Sequence, residues 1–361
     1  MAILELTKDQ YTNFEKICLG AYHPLDGFMN EEDFHSVVDN LRLANGKFFP
    51  LPVICDVSEK EGQAIIEVIE KTGGVALHYK GEEVGELKPT GLYKVDKLSA
   101  AKKIYGFATR EHPGVAAFLD LKPVFVAGSV TLKKRVLFDY SADELTPSES
   151  KRLFREKGWK TVACFATRNI PHRGHEYLQR IGLEMADGLF IHVTTPPPQT
   201  GNYRPEAIKR AYRIMIDKFY GSHRAILSFV STPFRGAGPR EALFQAVMKR
   251  NYGCSHFIIG RDHSGVKGFY GKYAAHELSL KYEDRLGIGI LRLHGPYYCL
   301  KCKLVVTEQT CRHSGDPASV VELKSTPIRD DHANNLKIEN TLMRPEVLEC
   351  LEGMDILYRS G

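Results

Sequence analysis

No stretch of the 361-residue chain stays apolar long enough to cross a bilayer, so a helical membrane span is excluded. The N-terminus MAILELTKDQYTNFEK lacks a basic segment followed by an apolar core, and no secretory signal is expected. Basic residues form no run, and the net charge of +5 is mild, so nucleic acid is not an expected partner. Eight cysteines are too few for a disulfide scaffold in a chain of this length. Three of them cluster near the C-terminus, which favours a reducing cytoplasm and a bound metal. There is no internal repeat and no low-complexity tract.

What is present is the composition of an ordinary soluble protein, 43% hydrophobic and 26% charged. The length exceeds what one core usually serves, so two or three domains are expected. Residues 1–145 carry short β-like runs between Gly and Pro turns (FFPLPVICDVS, GQAIIEVIEK, GGVALHYKG, PVFVAGSVTLKK), which predicts a mostly β domain. A linker then enters a helix at Thr146-Pro147-Ser148-Glu149. Over 146–298 strand-like and helix-like segments alternate: KTVACFA, GHEYLQRIGLEMA, GLFIHVTT, RPEAIKRAYRIMIDKFY, RAILSFV, GPREALFQAVMKRNYG, HFIIGR. That alternation predicts an α/β domain with a parallel sheet, whose ligands bind at the carboxyl ends of the strands. Residues 299–361 read as a small irregular C-terminal region closing with a helix near RPEVLECL.

The polar clusters fall at those strand ends. CFATRNIPHRGHEYLQR places Thr167 to His175 on a strand-to-helix crossing. Backbone N–H groups at the helix start attract anions, and Gly174 permits close approach. Arg168 offers a planar cation for an oxyanion, and His172 and His175, three apart, can both face it. Two solvent-facing histidines beside a turn are the plainer alternative. GAGPREAL puts Gly238 and Arg240 at a helix entry, where capping with a surface arginine is the preferred reading from the residues alone. IIGRDHSG ends a strand in Gly260, Arg261, Asp262, His263 and Ser264, with an Arg261–Asp262 pair as the structural alternative. In KSTPIRDD, Ser325, Thr326 and Arg329 suit either phosphate binding or a helix cap followed by proline. Cys299-x-x-Cys302 and Cys311-x-His313 make a Cys₃His set suited to a structural zinc with no open position.

H-x-G-H after a first strand is the signature of nucleotidyltransferases that cleave ATP between its α and β phosphates. The longer string resembles the Q-x-R-N-P-x-H-x-G-H element of the ATP sulfurylase (sulfate adenylyltransferase) family. GAYHPLDGFMNEEDF, YGFATREHPGVAAF and GAGPREALFQAVMKRNYGCSHFIIGRDHSG resemble three further segments of that family. The resemblance implies a PUA-like N-terminal domain, a Rossmann-like nucleotidyltransferase domain and a small C-terminal region. It implies ATP with Mg²⁺ as substrate, sulfate as acceptor and a homodimer. Arg168 and Arg261 would hold the oxyanion, Thr167, Asn169, His172 and His175 would hold the ATP phosphates, and the blocks with Gly238 and Arg240 and with Gly260 to Ser264 would serve ATP and oxyanion binding. A Cys₃His zinc site is also seen in some bacterial members. The given residues hold no G-x-x-x-x-G-K-[ST], so a fused P-loop kinase is not expected.

The chain departs from the family pattern at the acceptor end. Ala166 stands where the family has Gln, Ser264 where it has Ala, and RNIPH moves the proline by one place. TTPPPQTGN replaces G-x-T-K-x-x-D, and KSTPIR replaces S-G-T-K-x-R. A second expectation therefore stands beside sulfate: adenylyl transfer to a phosphonate, carboxylate or sulfonate. A third is a non-catalytic nucleotide-sensing or RNA-associated homologue.

Overall fold

The computed structural model describes residues 2–71, 73–138, 140–195, 198–266, 268–334 and 336–359. The N-terminal sheet runs in the order Ala2–Glu5, Val75–Tyr79, Glu82–Tyr93, Val124–Leu132, Gly27–Phe28, with Cys55–Val57 also on Val124–Leu132. All its pairs are antiparallel except the outermost, between Ala2–Glu5 and Val75–Tyr79. Gly62–Lys71, β-like in sequence, is instead largely helical, within the helix Glu59–Glu70. Ser58 and Glu61 form a reciprocal capping box there, and Ile65, Val68 and Ile69 recur at helical spacing against the core. The cap and the packing override the strand preference of the β-branched residues. The helix Pro147–Glu156 starts where expected, with a capping box between Thr146 and Glu149.

The second sheet has five strands, all parallel, in the order Gly289–Arg292, His256–Ile259, Val162–Thr167, Gly188–Thr194, Ala225–Val230. Strands one and four of this domain are neighbours, and the chain leaves them in opposite directions. Such a reversal opens a crevice at the carboxyl edge of a parallel sheet. The fifth strand, Gly289–Arg292, did not stand out in the sequence.

Each face of this sheet is covered differently. On one, Phe165, Leu189, Ile191 and Phe229 pack with the helix Pro205–Met215 and the C-terminal helix Pro345–Leu351. On the other, the helix Pro239–Asn251 is buried on almost every side, because the N-terminal domain covers its outer face in one continuous core. The joint also contains charge. Fully buried Lys16 sits between Glu15 and Glu144 (2.6 Å to the latter), and Arg135 Nε donates to Glu15 at 2.8 Å. Residues Tyr297–Cys299, Leu304–Val306 and Val320–Glu322 build a three-stranded antiparallel ribbon. Among the described residues, no helix is long and apolar enough to cross a membrane.

Candidate active site

A cavity of about 980 Å³ opens at the carboxyl edge of the parallel sheet, where the strand order reverses. Ala166, Thr167, Arg168, Asn169, His172, Gly174 and His175 line it from the end of the first strand. Gly260, Arg261, Asp262, His263 and Ser264 line it from the end of the fourth. Ser325 and Thr326 close a third side. The sequence separates these segments by up to 160 residues; register brings the first two together, because His256 and Phe257 pair with Ala163 and Cys164.

The first turn of the helix Arg173–Met185 is organised by His172 itself. Its Nδ1 accepts from the backbone N–H of Gly174 (3.1 Å) and of His175 (3.4 Å), which makes it the N-cap. With Nδ1 accepting, the ring proton is on Nε2, 3.0 Å from Ser325 Oγ. The His175 ring stacks on His172 with centroids 3.8 Å apart, and its Nε2 lies 3.5 Å from the same hydroxyl. The expectation that these N–H groups are free for an anion is thus corrected, since a side chain caps them. Gly174 is required because a Cβ would lie 2.9 Å from His172 Cε1 and 3.1 Å from Leu323 Cβ. Burial pushes His172 well below the ordinary histidine range, aided by His175 and Arg261, and holds His175 near 4. Both are therefore neutral hydrogen-bonding groups at pH 7.

Ser325 is not a helix cap either. The helix runs Ser325–Ala333 from Lys324, which provides no side-chain cap, and the Ser325 hydroxyl is held between the two imidazoles. Arg168 stacks on the Phe234 ring at 4.7 Å, and no ion pair engages it among the described residues. Arg261 has its stem against Gly295, where a Cβ would come within 2.6 Å, and its guanidinium lies 3.6 Å from Glu322. The Arg261–Asp262 pair considered from sequence is not the contact formed; Asp262 sits in the left-handed region with φ 51°. Asn169 Oδ1 is buried without a hydrogen-bond partner among the described residues, and it borders the cavity. A buried acceptor left bare costs stability, and such atoms collect at ligand sites.

Three expected residues are placed elsewhere. Arg240 points away from the cavity into the N-terminal domain. Its guanidinium donates to the carbonyls of Val37 (2.6 Å), Pro50 (2.8 Å), Val38 (3.0 Å) and Lys103 (3.1 Å). Three of those carbonyls end the helices Glu31–Asn40 and Lys97–Tyr105, where a cation meets the negative end of each dipole. Gly238 caps the helix Pro239–Asn251 with φ 50°, and the Tyr270 ring fills the space a Cβ would need. Arg329 is outside the lining, although its charge acts on Arg168. Of the replaced loop TTPPPQTGN, Pro196 and Pro197 lie outside the described residues.

The cavity also holds residues the sequence did not single out. Lys8, Asp9 and Thr12 reach it from the N-terminal domain, and only the docking of two domains brings them there. Ser231 and Thr232 directly follow the third strand, so the strand-edge rule would have found them, and Thr194 opens the replaced loop TTPPPQTGN. Gln245 comes from the middle of a buried helix and carries no sequence signal.

Cys299, Cys302, Cys311 and His313 converge in the ribbon, their ligand atoms all within 4.8 Å of one another, and this cluster can hold a metal ion. The ribbon strand Val320–Glu322 leads directly into Leu323, Lys324, Ser325 and Thr326 on the cavity wall.

Comparison with known proteins agrees with this geometry. The ATP-sulfurylase family matches residues 142–353, and the PUA-like domain family matches residues 1–135. The sulfate adenylyltransferase of Pyrococcus abyssi is 36% identical over 343 residues, covering 95% of this chain and 88% of that protein. That of Deinococcus radiodurans is 36% identical over 349 residues, covering 96% and 88%. A solved structure, the hexameric APS kinase from Thiobacillus denitrificans, shares the fold with a TM-score of 0.72 at 20% identity, over 97% of this chain and 62% of that one. With a PUA-like domain ahead of a nucleotidyltransferase sheet and full-length relatives of one kind, the chain belongs to the ATP-sulfurylase (sulfate adenylyltransferase) family.

Proposed function

We propose that the protein is a nucleotidyltransferase that joins ATP and sulfate into adenosine 5′-phosphosulfate and pyrophosphate, in either direction. Its main support in the structure is one cavity that combines an arginine with no ion-pair partner among the described residues, a second arginine on a neighbouring strand end, and two stacked neutral histidines sharing a serine hydroxyl. A sulfate oxygen attacks the α-phosphorus in line, and the bond to the bridging oxygen breaks as pyrophosphate leaves. Sulfate is already an anion, so the step needs no general base and no covalent enzyme intermediate. Rate comes from positioning and charge stabilisation. Arg168 and Arg261 orient the nucleophile. Thr167, Asn169, His175 and the His172–Ser325 pair contact the phosphates, and neutral imidazoles avoid repelling the arginines. Mg²⁺ would accompany the nucleotide as part of the substrate and would offset its charge.

The Cys₃His cluster is proposed as a structural zinc site. A tetrahedron with Zn–S of about 2.3 Å and Zn–N of about 2.0 Å has S···S edges of about 3.8 Å and S···N edges of about 3.5 Å. The Sγ···Sγ distance of Cys302 and Cys311 is 3.8 Å, and the three thiols lie 3.4–3.6 Å from His313 Nδ1. A homodimer and a cytoplasmic location complete the proposal; eight free cysteines suit a reducing compartment.

The test is pyrophosphate release from ATP against a panel of sulfate, methylphosphonate, acetate and a sulfonate. Sulfate-dependent release is expected. Ala166 and Ser264 at the acceptor end favour one competing reading, in which another acid is turned over and sulfate is not. ATP binding without release for any acceptor would instead mark a non-catalytic nucleotide-binding protein.

A further inference from the structure

Gln245 lies mid-way along the helix Pro239–Asn251, where most neighbours serve the core, yet its amide borders the cavity. Both ends of that amide are engaged. His263 Nε2 lies 3.0 Å from Oε1, and Nε2 donates to Ser264 Oγ at 3.1 Å. Burial pushes His263 down to about 4, so the ring is neutral and has a single N–H. With that N–H on Nε2, the amide oxygen is taken, and the NH₂ must face Ser264. Ser264 Oγ then accepts from Gln245, and its own hydrogen is left to donate away from the helix, towards the cavity.

The backbone is arranged for the same end. Ser264 has φ 57°, a left-handed conformation that a non-glycine residue adopts at some cost. Gly265 follows it, where a Cβ would come within 1.9 Å of the Asp262 carboxylate. The Ser264 turn follows the fourth strand, next to the first strand that carries Ala166 and Arg168. The methyl of Ala166 can donate nothing.

We propose that Gln245 is a positioning residue: it fixes Ser264 as a hydrogen-bond donor to the oxyanion between Arg168 and Arg261, supplying the donor that Ala166 lacks. The proposal rests on the oxyanion placement given under Proposed function. A tetrahedral oxyanion with several acceptor oxygens is the ligand such a donor suits.

The test uses the full-length protein with four variants: Ser264→Ala, Gln245→Met, the double variant, and Ser264→Ala combined with Ala166→Gln. Sulfate affinity is measured by calorimetry with a non-hydrolysable ATP analogue present, and KM values by pyrophosphate release. Each single variant is expected to weaken sulfate about tenfold, the loss of one hydrogen bond to a charged group, with the ATP KM little changed. The double variant should be no worse than either single one, because both remove the same donor. Ala166→Gln should restore sulfate affinity to Ser264→Ala, which a merely structural role for Ser264 would not allow. Unchanged sulfate affinity in both single variants overturns the relay, as do additive losses or a fall in thermal stability alone. Wild-type protein that binds sulfate without turnover would remove the proposed reaction while leaving the relay to be judged on affinity. Wild-type protein that binds no sulfate removes both.

Discussion

Replacing Arg240 by Met separates a structural arginine from a substrate-binding one. Family resemblance places Arg240 near ATP, whereas the structure sends it across the domain joint to four backbone carbonyls. Burial lowers its pKa to about 10, so it stays charged at pH 7. Methionine matches much of the stem and removes every guanidinium donor; Val37 O keeps only the Leu41 N–H, and the other three carbonyls lose the arginine that binds them. One orphaned buried carbonyl costs about 1–3 kcal/mol, but the four share one side chain and relax together. Each contact is a hydrogen bond to a charged group, worth about 1.5–3 kcal/mol, so a combined loss of about 3–5 kcal/mol is expected once their overlap is allowed for. At about 2.1 cal/mol/K of unfolding entropy per residue, 361 residues give roughly 0.76 kcal/mol/K. Arg240→Met should therefore lower Tm by about 4–7 °C for cooperative unfolding. Scanning calorimetry reads the shift, and pyrophosphate release at 20 °C reads activity. The KM for ATP and for sulfate should stay within twofold of wild type. An unchanged Tm with a raised KM for ATP would refute the latch and return Arg240 to the substrate site.

Other perturbations test the cavity itself. His175→Asn should reduce kcat by about 10²–10³, as for loss of one transition-state donor, with Tm little changed. His172→Ala should lose similar activity and also about 1 kcal/mol of stability, because it deletes the N-cap accepting from Gly174 and His175. Paired kinetics and melting of the two variants check this difference. His175 and His263 have folded pKa values near 4, against 6.5 when exposed. The unfolded chain thus binds more protons between these limits; stability is full above about pH 6.5 and falls through pH 4, by at most about 1.4 kcal/mol per unit per histidine. Melting between pH 7.5 and 4.5 should show that decline. Cys302→Ser, or exhaustive chelation, should release the proposed zinc, one per chain, measured by elemental analysis. It should lower activity more than Tm, since the ribbon strand Val320–Glu322 positions Ser325.

Much of the fold was legible because period and punctuation were strong. The capping box at Thr146 and the apolar spacing of Pro205–Met215 act within a few residues, and a single chain displays them. Gly62–Lys71 was misleading because its β-branched residues mask a helical spacing that Ser58 and Glu61 fix from outside the run. Gly289–Arg292 was missed as a strand because four residues at a sheet edge carry little pattern of their own.

The sequence by itself determined the chemistry on offer: arginines, histidines and a serine at strand ends, and four metal-ligating groups in fifteen residues. These follow from residue type and short spacing. Only the tertiary structure decided which of them share a cavity, and which way each side chain faces. Arg168 and Arg261 line one cavity because strands one and four pair; Arg240, in the first turn of a helix, faces the other domain instead. Lys8 and Gln245 reach the cavity through packing alone. Direction and long-range contact depend on how sheets and domains stack, and local spacing carries no record of that.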